Sequence, residues 1–350
     1  MDSIISHLRQ AATRAVDFTT FGRINSTYRD NMVILNYKEE CQFDGKWNQY
    51  EKVCRGLILA TDHEEVIAHP FAKFFNYSSQ GLPHPDASLV NITEKLDGSL
   101  GILYRQDGQY KIATRGSFTS DQALWATEFL RRYDVISIPD HFTFLFEIIY
   151  PNNKIVVDYK GREDLVLIGV INRISGYDYH WGGVEDIGKI YNFPLPIVYH
   201  YNNADEMLTL AKSLSVNQEG WVLRYSDGSR YKVKGDAYVE MHRLISNLSF
   251  RHVLAAYAQG DCDGYITRLP DELHPLARQW QKEIIDEESR LVDEVWQGTD
   301  KHRHLSRKDF ALWVQKEHKE HMALYFTALD GRNVHDLVMK RFDENNCAKW

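Results

Sequence analysis

Cysteine and long apolar runs are both scarce in this sequence. The chain of 350 residues has only four cysteines, and no two of them are close enough to form a CxxC pair: Cys41, Cys54, Cys262 and Cys347. This spacing excludes a dense disulfide framework and the common zinc motifs, and it fits a reducing compartment. No run of about 18 apolar residues is available to span a bilayer, and the amphipathic N-terminus lacks the apolar centre of a signal peptide. We therefore expect a soluble, cytoplasmic protein with no membrane partner.

The sequence also lacks an excess of positive charge. It has 41 lysines and arginines against 49 aspartates and glutamates, which gives a formal net charge of −8. Such a charge provides no overall attraction to a polyanion, so any binding of nucleic acid must use a local basic groove. Hydrophobic residues make up 43% of the chain, enough for one large core or two moderate ones. The length favours two domains.

The residue pattern changes near residue 240. Upstream, β-branched and aromatic runs such as "NMVILNY", "FTFLFEIIY" and "DLVLIGVINRISG" alternate with turn residues, which is typical of strands. Downstream, apolar residues recur at three- and four-residue spacing, as in "LHPLARQWQKEIIDEESRLVDEVWQG", which is typical of helices. The sequence therefore predicts a β-rich domain over residues 1–240 and a helical domain over residues 241–350.

Two segments of the β-rich part are similar to each other. Residues 101–116 ("GILYRQDGQYKIATRG") and 220–235 ("GWVLRYSDGSRYKVKG") both have the pattern strand, Asp-Gly turn, strand, which strongly predicts a hairpin. If Asp227 and Gly228 form a two-residue turn, the pairing across the second hairpin is fixed. Because side chains alternate along a strand, one face of that hairpin is then also fixed. The residues predicted to share this face are Glu219, Trp221, Leu223, Lys232 and Lys234.

The stretch "TEKLDGSLGILYR" (residues 93–105) places a lysine directly before a buried strand. An ordinary surface lysine is the commoner explanation for Lys95 taken alone. A lysine can attack phosphorus only when neutral, so burial or a nearby cation such as Arg115 would have to lower its pKa. Carboxylates on neighbouring strands, Glu147 and Glu219, could hold Mg²⁺ against the phosphates of a nucleotide. Together these residue types are typical of phosphoryl transfer.

Five segments in chain order resemble the motifs of the covalent nucleotidyltransferases, the superfamily of ATP-dependent ligases and RNA capping enzymes: "EKLDGSL", "FEIIYPNNKIVVDY", "VLIGVINRISG", "EGWVL" and "YKVKGD". One KxDG motif is weak evidence, but five segments in order over roughly 140 residues are strong evidence. Within the superfamily the chain is most similar to the phage RNA ligase 1 family. Further similarity lies in "CRGLIL", "FAKFFN", "RGSFTSDQAL" and "SDGSRYKVKGDAYVEMH". The resemblance covers roughly residues 30–245, and the tail resembles that family only in being helical.

The resemblance implies a fold and a set of site residues. The fold is α+β: a nucleotidyltransferase domain of two antiparallel β-sheets with flanking helices and the nucleotide between the sheets, followed by an all-α C-terminal domain. Lys95 would be the nucleophile that takes AMP from ATP. The other implied roles are phosphate binding for Arg55, Lys73 and Arg115, ribose and metal binding for Glu147, metal binding for Glu219, and α-phosphate binding for Lys232 and Lys234, which would also lower the pKa of Lys95.

Two positions depart from the family pattern. Arg115 stands where the family prototype has lysine, which keeps the charge but replaces a point charge with a planar fork. Leu100 stands where DNA ligases and capping enzymes usually carry arginine, which favours an RNA ligase.

Tyr37 is a further candidate for a contact to a base or phosphate, although an aromatic residue at a strand end more often packs in the core. The histidines of "KHRHLSRKDF" and "KEHKEHM" have metal-compatible spacing but are more typical of a solvated, partly basic helix face.

The activity implied by the resemblance is ATP-dependent RNA ligation with Mg²⁺, or with Mn²⁺ in its place. An RNA 5′-phosphate and 3′-hydroxyl would be joined through lysyl-AMP and RNA-adenylate intermediates, in the repair of an RNA such as a tRNA nicked in its anticodon loop. The helical domain would select this RNA. No GxxxxGK[ST] phosphate-binding loop is present in this sequence, and a separate end-healing kinase and phosphatase is a candidate partner that the sequence leaves open. A monomer is expected, in the cytoplasm or, if phage-encoded, in the host cytoplasm.

Two other functions are compatible with the motifs. A GTP-dependent capping guanylyltransferase would need a nucleic-acid-binding barrel after the last motif, where helical periodicity is found instead. A decayed ligase that only binds RNA ends would have no need of the nucleophile.

Overall fold

The computed structural model divides the chain into two compact units, Met1–Glu240 and Met241–Trp350. Cys41, Cys54 and Cys262 are buried and form no disulfide, and Cys347 lies outside the described residues. In the part of the chain that the structure describes, no helix is both long and apolar enough to cross a membrane. The described residues are 2–77, 86–201, 203–267, 269, 274–335 and 337–339.

The first unit is a mixture of strands and helices. Sheet 1 has the strand order β1-β2-β3-β4, sheet 2 the order β10-β9-β7-β8, and sheet 3 the order β11-β6-β12-β13-β5. Neighbouring strands are antiparallel except in the β13–β5 pair, which is parallel. The strands are β1 (Ile24–Arg29), β2 (Met32–Tyr37), β3 (Arg55–Ala60), β4 (Val66–Ala68), β5 (Phe75–Asn76), β6 (Leu89–Lys95), β7 (Ser99–Gln106), β8 (Gln109–Ala113), β9 (Phe142–Ile149), β10 (Asp164–Asn172), β11 (Val198–Tyr199), β12 (Gly220–Tyr225) and β13 (Arg230–Lys234).

The first unit has three sheets where the sequence predicts two. The apolar runs of β2 and β3 identify them as strands, but which strands pair is decided by packing between distant parts of the chain. Alternate residues of β3 face opposite sides: Leu57 and Leu59 pack in a cluster with Leu8 of the N-terminal helix, and Ile58 packs in a cluster with Ile102 of β7. Sheet 1 is therefore a separate layer, covered on both faces.

Helices cover the sheets of the first unit and form all the regular structure described in the second. Those up to the boundary are α1 (Asp2–Thr13), α2 (Glu40–Phe43), α3 (Gln49–Val53), α4 (Asp121–Phe129), α5 (Trp181–Tyr191), α6 (Ala204–Ala211) and α7 (Asp236–Asn247), which contains the boundary. Those of the second unit are α8 (Phe250–Ala258), α9 (Cys262–Thr267), α10 (His274–His302), α11 (Arg307–Glu317) and α12 (Met322–Leu329).

The long helix α10 organises the second unit. Its N-terminal part packs with α8 and α9, and its C-terminal part packs with α11 and α12. His302, one of the tail histidines, stacks on Trp313 with ring centroids 3.8 Å apart, and its Nδ1 lies 2.9 Å from the Gly298 carbonyl oxygen. His304 is exposed. His302 is thus a packing residue, which the spacing of the histidines did not predict.

A buried carboxylate fixes the start of α3. Glu51 is 3% exposed and accepts hydrogen bonds from the Asn48 backbone N–H at 2.8 Å and from Nε of Arg23 at 2.9 Å. Asn48 in turn accepts from the Glu51 backbone N–H, which completes a capping box. Burial raises the pKa of Glu51, but the bonds from Arg23 and Asn48 outweigh it and lower the pKa from 4.5 to about 2.

This carboxylate predicts a loss of stability in acid. Because the folded-state pKa lies below the unfolded one, the stabilisation is complete above pH 4.5 and is lost as the pH falls towards 2, an effect of about 3 kcal/mol. In Glu51→Gln, the free energy of unfolding should be lower at pH 7 and should fall less steeply between pH 5 and pH 2. Urea unfolding across that range measures this, with the exposed Glu64→Gln as control. Identical pH dependence in both variants would contradict the assignment.

Candidate active site

Three neighbouring strands of sheet 3 align the predicted nucleophile with a set of polar residues. Residues directly opposite each other in β6, β12 and β13 form three rows: Lys95–Gly220–Lys234, Thr93–Val222–Lys232 and Asn91–Arg224–Arg230. Successive rows are two residues apart, about 7 Å, and side chains at this spacing point to the same face of a sheet.

The predicted register of the β12–β13 hairpin is wrong by one residue. A hydrogen bond from the Tyr225 N–H to the Ser229 carbonyl closes a loop of three residues, 226–228, and not the two-residue turn that Asp-Gly suggests. A slip of one residue moves every side chain of a strand to the other face. Trp221 and Leu223 accordingly pack in the core behind the sheet, whereas Lys232 lies on the row of Val222 and Lys234 on the row of Gly220.

Glu219 joins the two lysines of the first row. Its Oε2 lies 2.7 Å from Nζ of Lys95 and its Oε1 lies 2.8 Å from Nζ of Lys234, and the residue is only 4% exposed. The following residue, Gly220, has a φ of +136°, and a Cβ there would lie 2.0 Å from the carbonyl oxygen of Val233. Only glycine fits this approach, so β12 can begin directly beside the lysines that Glu219 contacts.

The aspartate of the KxDG segment holds the loop after Lys95 in place. Asp97 is 3% exposed, and its Oδ2 accepts hydrogen bonds from the backbone N–H groups of Val156 and Val157, both at 2.8 Å. Its Oδ1 accepts the Tyr238 hydroxyl at 2.7 Å, and its own N–H donates to the Tyr159 hydroxyl at 2.7 Å. The sequence alone predicts no role for Asp97 or Tyr238. The KxDG match was the one available signal for Asp97.

Asp97→Ala is expected to destabilise the first unit. Three buried donors would lose their acceptor, which predicts a loss of about 4 kcal/mol in the free energy of unfolding. Tyr238→Phe removes only one of these bonds and should cost about 1 kcal/mol. Urea unfolding of both variants measures the difference. Equal losses in the two would show that the backbone N–H groups do not depend on Asp97.

The nine predicted site residues lie together. Seven line one pocket whose walls come from all three sheets: Tyr37, Arg55, Lys73, Lys95, Arg115, Glu147 and Lys232. The other two, Glu219 and Lys234, connect to this pocket through the ion pair with Lys95. The pocket also contains residues that the sequence did not single out, among them Asn91, Thr93, Trp181, Val222, Arg224 and Arg230.

The cations of this pocket are crowded and partly desolvated. Burial lowers the pKa of Lys232 to about 6, with the charges of Lys95 and Lys73 adding to the effect. Burial, and then the charge of Arg55, lowers the pKa of Lys73 to about 8. The Nη1 of Arg55 is buried and has no hydrogen-bond partner among the described residues. An anion with several oxygens, such as a polyphosphate, would satisfy these groups.

The sequence pattern predicts a lowered pKa for Lys95, but in the structure this pKa is raised. Burial lowers the pKa of the amine, but the carboxylates of Glu219 and Glu147 outweigh it and raise the pKa above its ordinary value. Burial raises the pKa of Glu147 to about 7, while the two lysines that contact Glu219 hold its pKa below the ordinary value against the effect of burial. The pKa of Lys95 is raised mainly because its amine contacts Glu219 directly, and a sequence pattern cannot reveal that contact.

Arg115 uses its planar group to hold Tyr37. Its Nη1 donates to the Tyr37 hydroxyl at 2.8 Å, and its Cζ lies 5.0 Å from the centre of the Tyr37 ring. Tyr37 is 3% exposed and also contacts Trp47 edge to face, with ring centroids 4.8 Å apart. Tyr37 is therefore a buried wall of the pocket. A lysine at position 115 would reach the hydroxyl with less directional control.

Several known proteins are similar to this chain. The chain is 24% identical to an RNA ligase of Rhodothermus phage RM378, over 95% of this chain and 93% of that protein. It is 26% identical to a putative bifunctional polynucleotide kinase/RNA ligase of Autographa californica nuclear polyhedrosis virus, over 71% of this chain and 39% of that protein. A Naegleria gruberi RNA ligase variant solved with ATP and Mn aligns with a TM-score of 0.37 and 20% identity, over 44% of this chain and 51% of that one.

A match to a protein-family model identifies the family of this chain. The model of a family described as RNA ligase matches residues 53–238, just over half of the chain and a range that contains eight of the nine predicted site residues. Only Tyr37 lies outside the match. The chain therefore belongs to the phage RNA ligase 1 family and is an RNA ligase enzyme, as its motifs predict.

Proposed function

We propose that this protein is an ATP-dependent RNA ligase that seals a 5′-phosphate to a 3′-hydroxyl in three steps. The observation that carries the proposal is the pocket itself, in which a partly buried lysine, Lys95, lies among Arg55, Lys73, Arg115 and Lys232 with carboxylates beside it. A triphosphate needs the cations, and a covalent nucleotidyl intermediate needs a lysine within reach of the α-phosphate.

In the first step, Nζ of Lys95 attacks the α-phosphorus of ATP. The N–P bond forms, the bond from the α-phosphorus to the β-phosphate oxygen breaks and pyrophosphate leaves. The ammonium group gives one proton to water before the attack, and the nitrogen gives a second proton to water as the phosphoramidate forms. Lys95 begins as an ammonium group paired with Glu219, so this pair must loosen before attack. Lys232 and Lys234 hold the α-phosphate oxygens, and Arg55, Lys73 and Arg115 hold the leaving pyrophosphate.

The site fits a divalent metal that arrives with the nucleotide. Among the described residues, no group of three or more His, Cys, Asp or Glu side chains is placed to hold a metal ion. Glu147 and Glu219 provide two carboxylates, which suits Mg²⁺ or Mn²⁺ when phosphate oxygens and water complete the coordination. Such a metal would neutralise phosphate charge. Engagement of Glu219 would also weaken its pair with Lys95.

The second and third steps move AMP to RNA and then release it. A 5′-phosphate oxygen of the RNA attacks the lysyl-AMP phosphorus and Lys95 leaves, which gives RNA-adenylate. The 3′-hydroxyl then attacks the RNA phosphate and AMP leaves, which forms the phosphodiester. Repair of a broken structured RNA, with a nicked tRNA anticodon loop as the first candidate, is the proposed purpose. Separate proteins would prepare the two ends.

One assay tests the proposal. Purified protein is incubated with Mg²⁺ and either ATP or GTP labelled at the α-phosphate, and RNA with 5′-phosphate and 3′-hydroxyl ends is then added. Transfer of label from ATP to the protein, then to RNA, followed by sealing, is expected. Labelling by GTP and transfer to an RNA diphosphate end would indicate a capping enzyme. No labelling, once AMP already bound to the protein is excluded, would indicate a decayed ligase that only binds RNA ends.

We propose that the second unit determines the specificity of the enzyme for its RNA substrate. A chain ending after Asn247 keeps α7 and Tyr238 but lacks α8–α12. It should still label itself with AMP, while its preference for nicked tRNA over unstructured RNA with the same ends should fall about tenfold, or 1.4 kcal/mol. The ratio of kcat/KM on the two RNAs measures this. An unchanged ratio in a chain that still labels itself would contradict the division of labour.

A further inference from the structure

Three aromatic rings surround the amine of Lys73 in the first unit. Its Nζ lies 5.0 Å from the ring centre of Trp47, 5.3 Å from that of Tyr37 and 5.7 Å from that of Phe75. Trp47 meets Tyr37 and Phe75 edge to face, with centroids 4.8 Å and 5.6 Å apart. Unlike Tyr37, Trp47 is partly exposed, and it lies in the segment between α2 and α3. The face of an indole ring offers a triphosphate neither a hydrogen-bond donor nor a full charge, which are what phosphate oxygens require.

The order of the chemical steps identifies what else must occupy this region. In phosphoryl transfer the entering and leaving groups lie roughly in line on opposite sides of phosphorus. Lys95 enters opposite pyrophosphate in the first step and is itself the leaving group in the second. The RNA 5′-phosphate must therefore approach from the side that pyrophosphate has left. The cations that held pyrophosphate are then available to hold the end of the RNA.

We propose that the 5′-phosphate end of the RNA binds at Arg55, Lys73 and Arg115 after pyrophosphate leaves, and that the base of its first nucleotide stacks on Trp47. This inference rests on the proposed function. A base lies one sugar away from its 5′-phosphate, and the indole ring lies 5.0 Å from the Lys73 amine, so one nucleotide spans both. Stacking on an aromatic ring accepts any base, which suits an enzyme that must seal ends whatever their sequence.

The site also has a polar, accessible rim. Gln42 and Lys46, on either side of the start of this segment, are exposed, and Oε1 of Gln42 lies 3.5 Å from Nζ of Lys73. Charged and amide side chains around an aromatic platform are typical of proteins that bind single-stranded nucleic acid. The occupant favoured here is thus a single-stranded RNA end, and a protein segment would not need the three phosphate-binding cations.

The test separates contact with the base from support of Lys73. Trp47→Leu keeps an apolar side chain against Tyr37 and Phe75 but removes the ring, and Trp47→Phe keeps a ring. Self-adenylylation is measured first, and the adenylylated protein is then given 5′-phosphorylated RNA in a single turnover. For Trp47→Leu, we expect the half-saturating RNA concentration to rise about tenfold, with a much smaller change in self-adenylylation, and Trp47→Phe should recover most of the loss. An equal loss in both steps would show that Trp47 only supports Lys73, and would overturn the inference.

A second substrate makes the test specific. An RNA whose first nucleotide has no base should bind the unaltered protein about tenfold more weakly, and Trp47→Leu should lose nothing further on that RNA. If the two losses multiply, the indole and the first base do not touch. Failure of the proposed function is distinguishable, because it would appear as the absence of AMP labelling in the unaltered protein before any RNA is added.

Discussion

Replacing Lys95 with arginine is expected to abolish labelling of the protein by ATP. Arginine keeps a positive charge beside Glu219, so an ion pair at the first row is retained. A guanidinium group is protonated at any working pH and cannot form the phosphoramidate. The loss should be at least about 1,000-fold, to the limit of detection. It is measured as label on the denatured chain after incubation with ATP labelled at the α-phosphate.

The matched control is Lys111→Arg. Lys111 lies in β8 of the same unit, where its amine donates to Gln106 at 3.0 Å, and it does not line the pocket. Its replacement should leave labelling within about twofold of the unaltered protein. Label retained by Lys95→Arg, under conditions in which Lys111→Arg is also labelled, would show that another residue is the nucleophile.

The second large effect is expected for Glu219→Gln. The amide keeps the shape of the carboxylate but cannot hold a metal by charge, so the rate of self-adenylylation should fall about 100-fold. The pH dependence of the rate should also change, in the direction that favours activity at lower pH. Because Glu219 raises the pKa of Lys95, its removal lowers that pKa, and the neutral amine becomes available at lower pH. The rising limb of the pH–rate profile should therefore move to lower pH even as the plateau falls.

Single-turnover adenylylation from pH 6 to pH 10 measures both quantities. The control is Glu128→Gln, an exposed residue of α4 that pairs with Arg131 on the surface. It should change neither the plateau nor the profile. A fall in the plateau with no movement of the rising limb would mean that the Glu219–Lys95 pair does not govern protonation of the nucleophile.

The clustering of the nine candidate residues could be anticipated because the family motifs that contain them occur in a fixed order. The candidate nucleophile Lys95, two carboxylates and several cations lie in these motifs, and the structure brings all nine residues to one pocket and its margin. Strands such as β9 and β10 were equally visible, because continuous apolar runs between turn residues are typical of strands. In these cases the information lies within short stretches of sequence.

Features set by contacts between distant stretches were not predictable. The separate sheet 1 depends on which strands pair, and the register of the second hairpin depends on one additional loop residue. The role of Asp97 arises from partners 59 and 141 residues away. The raised pKa of Lys95 has the same origin, because the carboxylate that raises it is 124 residues further along the chain.

The position of the AMP adduct tests the central claim most directly. The protein is incubated with ATP and Mg²⁺, digested under conditions that preserve a phosphoramidate, and the peptides are analysed by mass spectrometry. AMP carried by Lys95, and lost on adding RNA with a 5′-phosphate, is the predicted result. AMP on any other residue, or no adduct in protein shown to be free of AMP at the start, would contradict it.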